Sequence, residues 1–168
     1  MAIRHRLIRV DPRSVWAVLE DGTRYADWVV GTSASEPVRG HWPQVGSAIG
    51  YEVRFGPVCL RNETVVRRCV PGEVLELEAE AGPLGTARIA IEVHTWGDHT
   101  LVKVDEHPLR GAGGFLHNVA VEALIQIRHR AMLARLAELC ETDAEEEERR
   151  RPMGQVVASR SDAGGARA

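Results

Sequence analysis

The chain has 168 residues, of which 44% are hydrophobic and 27% charged, with a net charge of −3. That is the balance of one soluble globular domain, long enough to bury a core without disulfides or metal. The charge excludes an overall basic field for nucleic acid or an anionic membrane surface, and no run of roughly 18 apolar residues is present to form a membrane span.

The chain starts Met-Ala-Ile-Arg-His-Arg-Leu-Ile-Arg, with no apolar signal stretch, so a cytoplasmic location is expected. Cys59, Cys69 and Cys140 form no CxxC pair and would leave an odd thiol, which points to reduced cysteines.

Ile3 to Val10 alternate apolar and charged residues as a strand does. Asp11-Pro12 then supplies a capping side chain and a proline at the first helical position. Val15, Trp16, Val18 and Leu19 form the apolar side of a short helix ending at Gly22, and a second short helix spans Thr23 to Trp28. Val29-Val30 opens the next strand. Thr32 to Ser47 holds Pro37, Gly40, Pro43 and Gly46 and is expected to be mostly loop.

From Ala48 to His107 the alternation is sustained. Its inward set is Ile49, Tyr51, Val53 and Phe55; Val58, Leu60, Asn62, Thr64 and Val66; Leu75, Leu77, Ala79 and Ala81; Ile89, Ile91, Val93 and Thr95; and Thr100, Val102, Val104 and Glu106. Turns at Gly56-Pro57, Pro71-Gly72, Gly82-Pro83 and Gly97-Asp98 make this an antiparallel meander with one buried face. A long helix follows from Gly114 to Glu141, and it alone is long enough to cover that face. It carries two apolar arcs. One holds Leu116, Ala120, Ala123, Ile127, Ala131 and Ala134; the other holds Val119, Ile125, Leu133, Leu136 and Cys140, with Glu122, Gln126 and His129 among them. Periodicity does not choose between the arcs. The composition divides the chain into a domain over 1–141 and a tail over 142–168, charged and then low in complexity; Asp143 to Arg151, acids followed by three arginines, offers an extension of the helix through Glu-to-Arg pairs four apart, and from Pro152 on, with little to bury, disorder is expected.

The histidines show no HxH or HExxH spacing, so no metal site is expected, and no sequence motif calls for a cofactor. Gly46-Ser-Ala-Ile-Gly50 places its serine one position early for a nucleophile elbow. Gly111-Ala-Gly-Gly114 lacks the spacing of a phosphate-binding loop and reads as a hinge into the helix. The polar residues on the inward parity carry more. Glu106 is either a poised acid, base or ligand-orienting group, or a strand-end residue near solvent paired with an arginine. Tyr51 is either a core residue or a ligand donor. Trp28 and Trp42 flank the loop segment at one end of the sheet, where they would cap a pocket mouth, and His117 and His129 are further candidates on the helix side.

The stretches VWAVLEDGTRYADWVVGT, GPVCLRNETVV, PLGTARIAIEV, VDEHPLRGAGGFL and RHRAMLARLAELCE resemble the SRPBCC (START/Bet v1-like) superfamily, in particular its polyketide cyclase/dehydrase-like proteins, over about residues 3–141. The resemblance implies an α+β helix-grip fold: a seven-stranded antiparallel sheet wrapped around a long C-terminal helix, with two short helices after the first strand. It implies a cavity for a sterol, lipid, polyketide or other apolar ligand, and in some members cyclisation or dehydration there. Relatives often carry Asn where this chain has His129, and no universal catalytic residue exists to carry over.

Three functions follow as expectations. The first is a binding module for a small hydrophobic or aromatic ligand, lipid or polyketide-like. Val53, Leu60, Leu77, Ile91 and Val104 would give the apolar lining, and Trp28, Tyr51, Asn62, Glu106, His117 and His129 the capping and orienting groups. The second is a cyclase, aromatase or dehydratase using pocket acid–base residues such as Glu106. The third is a non-enzymatic partner protein that docks through the outer stripe of the last helix. A monomer or a homodimer is compatible with each.

Overall fold

The computed structural model describes residues 2–55, 58–80, 86–110 and 119–151, with backbone alone at 2, 33, 53–55, 58, 60, 108–110 and 119–127. The order is β1 (Ala2–Ile8), α1 (Pro12–Glu20), a 3₁₀ turn (Gly22–Arg24), α2 (Tyr25–Trp28), β2 (Thr32–Arg39), β3 (Ala48–Phe55), β4 (Val58–Val70), β5 (Val74–Glu80), β6 (Thr86–Trp96), β7 (His99–Arg110) and α3 (Val119–Arg150). The strands form one antiparallel sheet in the order β1-β7-β6-β5-β4-β3-β2. A seven-stranded antiparallel sheet with a long C-terminal helix and short helices after the first strand is the α+β architecture expected.

Local chemistry sets the elements. Asp11 Oδ1 accepts the backbone N–H groups of Arg13 (2.8 Å) and Ser14 (3.2 Å), with Pro12 at the first helical position of α1. The β4–β5 and β6–β7 turns place Gly72 and Gly97 at positive φ (79° and 61°), which a side chain resists. On the outer face, Arg67 pairs with Glu78 (2.8 Å) and Lys103 with Glu92 (2.8 Å) across neighbouring strands, solvated pairs that favour this strand register more than they add stability.

One expectation needs correction. Thr32–Arg39 is a strand, β2, where proline and glycine suggested loop. It is an edge strand, and its register shifts at Thr32/Ala34 and Pro37/Arg39, a setting that tolerates a residue without an N–H. The long helix does continue past Glu141, to Arg150, through the acidic segment's Glu-to-Arg pairs four apart, Glu145–Arg149 (3.7 Å) and Glu146–Arg150 (3.0 Å). Asp143 pairs with Arg24, and Ala144 packs on the core, so the first residues of the acidic segment still touch the rest of the fold. The expected helix start at Gly114, the Gly111–Gly114 hinge and His117 lie outside the described residues.

The core also resolves the rotation of α3. Its buried residues are His129, Met132, Leu133, Leu136, Ala137 and Cys140, so the arc with Leu133, Leu136 and Cys140 turns inward. These pack over Ile8, Val66, Leu75, Leu77, Ile91, Val93, Val102 and Val104 from the sheet, and over Val15, Val18 and Leu19 from α1. Burial pushes the Cys140 thiol up to about 12, so it behaves as a small apolar side chain.

Candidate functional site on the concave face

The inward face changes character along its length. At one end it is wholly aliphatic and closed: Leu75, Leu77, Ile91, Val102 and Val104 are at most 1% exposed. At the other end the inward residues are small or polar. Thr64 on β4, Ala79 on β5 and Ala87 on β6 stand opposite one another in one row, with Tyr51 and Asn62 paired in the next. Asn62 and Ala87 are only half-buried although they share the inward parity, so this end is less closely covered. Glu106 borders this end, opposite Ile89 on β6.

Alternation along β7 forces the Glu106 carboxylate inward beside Val104, and it is 7% exposed. Its partner comes from α3: His129 Nε2 lies 2.5 Å from Glu106 Oε2, with the imidazole wholly buried. Burial alone pushes the Glu106 carboxyl up, but the His129 hydrogen bond and the nearby charge of Arg128 outweigh it and hold the group below its usual range. An ionised Glu106 requires the proton on Nε2, so His129 donates a short, charge-assisted bond. His129 Nδ1 is also buried and finds no partner among the described residues.

A hydroxyl cluster faces this pair from the other side of the small-residue row. Tyr25 on α2 and Thr64 share a 3.0 Å hydrogen bond between their hydroxyls. Tyr51 donates its hydroxyl to the Glu80 carbonyl at 2.6 Å. The Tyr25 ring is held by the rings of Trp28 (centroids 5.3 Å), Tyr51 (5.9 Å) and Trp42 (6.0 Å). Burial raises the Tyr25 phenol well above the ordinary value and the Tyr51 phenol above it, so both are neutral at physiological pH.

The residues singled out from sequence fall into four places. Tyr51, Asn62 and Glu106 lie at the small-residue end, and His129 meets Glu106 there. Leu77, Ile91 and Val104 sit in the closed aliphatic core, and Trp28 is buried against Tyr25, its indole N–H without a partner among the described residues. Val53 and Leu60 are register partners on β3 and β4, described by backbone only. His117 is outside the described residues. Trp42 is half-buried and anchored by its indole N–H to the Leu19 carbonyl at 3.0 Å. Tyr25 and Arg128 carry no signal of their own in the sequence. Tyr25 sits on a four-residue helix too short for periodicity, and Arg128 has the pattern of any helix arginine.

A separate open hollow of about 560 Å³ runs over β2–β4. Most of its lining, including Ala34, Glu36, Gly50, Glu52, Arg61 and Glu63, has the parity opposite to Thr64 and Ile49, placing it on the outer face, with Tyr51 and Asn62 at its border. Its side chains are largely ionic and paired, Glu63 with Arg39 and Glu52 with Arg61 (3.2 Å), so it lacks the apolar wall of a small-molecule site. No helix among the described residues is long and apolar enough to cross a membrane, and no three metal-ligating side chains converge there.

The sequence pattern of the family described as polyketide cyclase/dehydrase and lipid transport matches residues 4–141. The chain belongs to this family. Solved structures of the same fold include Ara h 8.0201 (10% identity, 84% of this chain and 97% of that one, TM-score 0.68) and protein CV1439 from Chromobacterium violaceum (16%, 83% and 96%, 0.65). DynU16, from the dynemicin biosynthetic locus, matches at 18% identity over 84% of this chain and 47% of its own, with a TM-score of 0.60. At these identities the likeness to solved structures shows the fold alone. No curated protein sequence matches this member of the polyketide cyclase/dehydrase and lipid transport family.

Proposed function

We propose that this protein binds a small hydrophobic or aromatic molecule, lipid or polyketide-like, at the small-residue end of the concave face. The observation that carries the reading is the half-burial of Asn62 and Ala87 on a face whose other end is fully packed. Apolar area there would supply affinity at roughly 25 cal/mol per Å² buried, and Tyr51, Asn62, Glu106 and His129 would fix orientation. Membership in a family that includes lipid transport supports the same reading. The expected result is saturable uptake of 1-anilinonaphthalene-8-sulfonate with a rise in fluorescence, and its displacement by members of a lipid and aromatic polyketide panel. No saturable binding of the dye or of any panel member would sink the proposal.

The Glu106–His129 pair favours a second reading, a cyclase, aromatase or dehydratase. A carboxylate that holds one imidazole nitrogen orients the ring, and Nδ1, without a partner among the described residues, is the nitrogen left to exchange a proton with a ligand. With a turned-over polyketide-like substrate, Glu106→Gln is expected to lower kcat by roughly 10²–10⁴. Unchanged turnover in that variant would exclude the role.

A further inference from the structure

His129 is wholly buried, and among the described residues only one of its two ring nitrogens is engaged. Nε2 lies 2.5 Å from Glu106 Oε2, and one proton on Nε2 is all that this bond requires. Nδ1 then carries a lone pair and is an acceptor. It is shielded from solvent and has no hydrogen-bond partner among the described residues. A buried acceptor left unpaired forfeits the bond that water gives it in the unfolded chain.

Two contacts fix how α3 runs over the sheet. Glu141 Oε1 accepts the backbone N–H of Arg9 at 3.0 Å, just past the Ile8–Thr100 pairing, and His129 meets Glu106 further along β7. From His129 to Cys140 the helix therefore passes back over Val104 and Val102, the packed half of the face. On the other side of Glu106 lies the small-residue row, since Ala87 is two residues from Ile89, the register partner of Glu106, and stands opposite Ala79. His129 thus stands where the packed core gives way to that row.

The hydroxyls described at this end are engaged elsewhere. Those of Tyr25 and Thr64 bond each other at 3.0 Å, and Tyr51 donates to the Glu80 carbonyl at 2.6 Å. A proton donor arriving with the ligand would complete Nδ1. A carboxylate, ketone or ether has no proton to give. Ammonium and amide groups donate, but each brings further polar atoms that the apolar floor of Ala79 and Ala87 leaves unpaired. A hydroxyl brings one proton and no charge.

We propose that the ligand class is an apolar molecule bearing a hydroxyl, an alcohol or a phenol, with its body over Ala79 and Ala87 and its O–H donated to His129 Nδ1. This rests on the reading of the small-residue end as the binding site. Glu106 is then a positioning residue, whose carboxylate holds the ring proton on Nε2 and keeps Nδ1 the acceptor. A bond to a buried acceptor that is otherwise unpaired gives the hydroxyl compound roughly a five- to hundredfold advantage over an analogue of the same shape without the proton.

The test is calorimetric titration of the full chain at pH 8 in dilute dimethyl sulfoxide with two pairs matched in shape, 2-naphthol against 2-fluoronaphthalene and octan-1-ol against 1-fluorooctane. The hydroxyl compound is expected to bind at least fivefold tighter than its fluoro analogue. That ratio in the naphthalene pair alone narrows the class to phenols, and in the octane pair alone to aliphatic alcohols. Smaller ratios in both pairs overturn the proposal and leave the binding site standing. If none of the four probes binds, the site reading falls together with the proposal. The second readout is the ¹⁵N spectrum of the imidazole rings, with the His129 signals identified by their loss in the Glu106→Leu/His129→Leu variant. The preferred hydroxyl compound should move the Nδ1 resonance while Nε2 keeps its proton, and a preference that leaves Nδ1 unmoved overturns the proposal. The affinity comparison on the unmodified protein needs no variant, so it stays decisive if the double variant folds poorly.

Discussion

Replacing His129 with alanine is expected to destabilise the fold by about 3–5 kcal/mol, because it leaves the Glu106 carboxylate buried without its hydrogen-bond partner. Replacing both residues with leucine should recover most of that loss, since an apolar pair of similar volume needs no solvation. The two outcomes, read from urea midpoints at pH 7, separate a charge left unpaired from a cavity left unfilled. A double variant as unstable as His129→Ala would mean that packing, not charge, dominates.

The same pair makes stability depend on pH with a defined sign. Glu106 binds its proton more weakly in the folded chain than at the ordinary carboxyl value of 4.5. Its contribution is therefore fully present above about pH 4.5 and is lost as pH falls through the lower folded value. The stability gap between the unmodified chain and Glu106→Gln should narrow as pH drops from 5 to 3. A gap that stays constant over that range would show that Glu106 titrates alike in both states.

The second large effect is at Trp28. Its side chain is 2% exposed and packs edge-on against Tyr25, so Trp28→Ala is expected to cost about 3–5 kcal/mol. Trp96, 62% exposed at the β6–β7 hairpin, should tolerate alanine within about 0.5 kcal/mol. Thermal melts of the two variants check both. A Trp28→Ala protein as stable as its parent would mean that the aromatic cluster around Tyr25 is not a packed unit.

The fold was legible because its signals are local and mutually consistent. Residues 74–80 alternate half-buried and buried in step with their alternating glutamates, and Asp11-Pro12 caps a helix where such a pair should. β2 was hidden because Pro37 argues against a strand unless the strand is known to lie at an edge, which is a property of the whole sheet. In the candidate site, parity along β7 was enough to turn Glu106 inward. Its partner was not legible, since His129 sits 23 residues away on a helix apolar on most sides, and only packing fixes that helix's rotation. Tyr25 and Arg128 have meaning only once α2, α3 and the sheet are assembled.

The central claim is that a ligand occupies the small-residue end of the concave face. A ¹H–¹⁵N correlation titration of the full chain with 2-naphthol tests it most directly. The account predicts saturable shifts concentrated at Thr64, Ala79, Ala87, Glu106, Arg128 and His129, with Leu136, Ala137 and Cys140 unmoved in the packed half. Shifts confined instead to Glu36, Gly50, Glu52 and Glu63 on the outer face, or no saturable shifts at all, would contradict it.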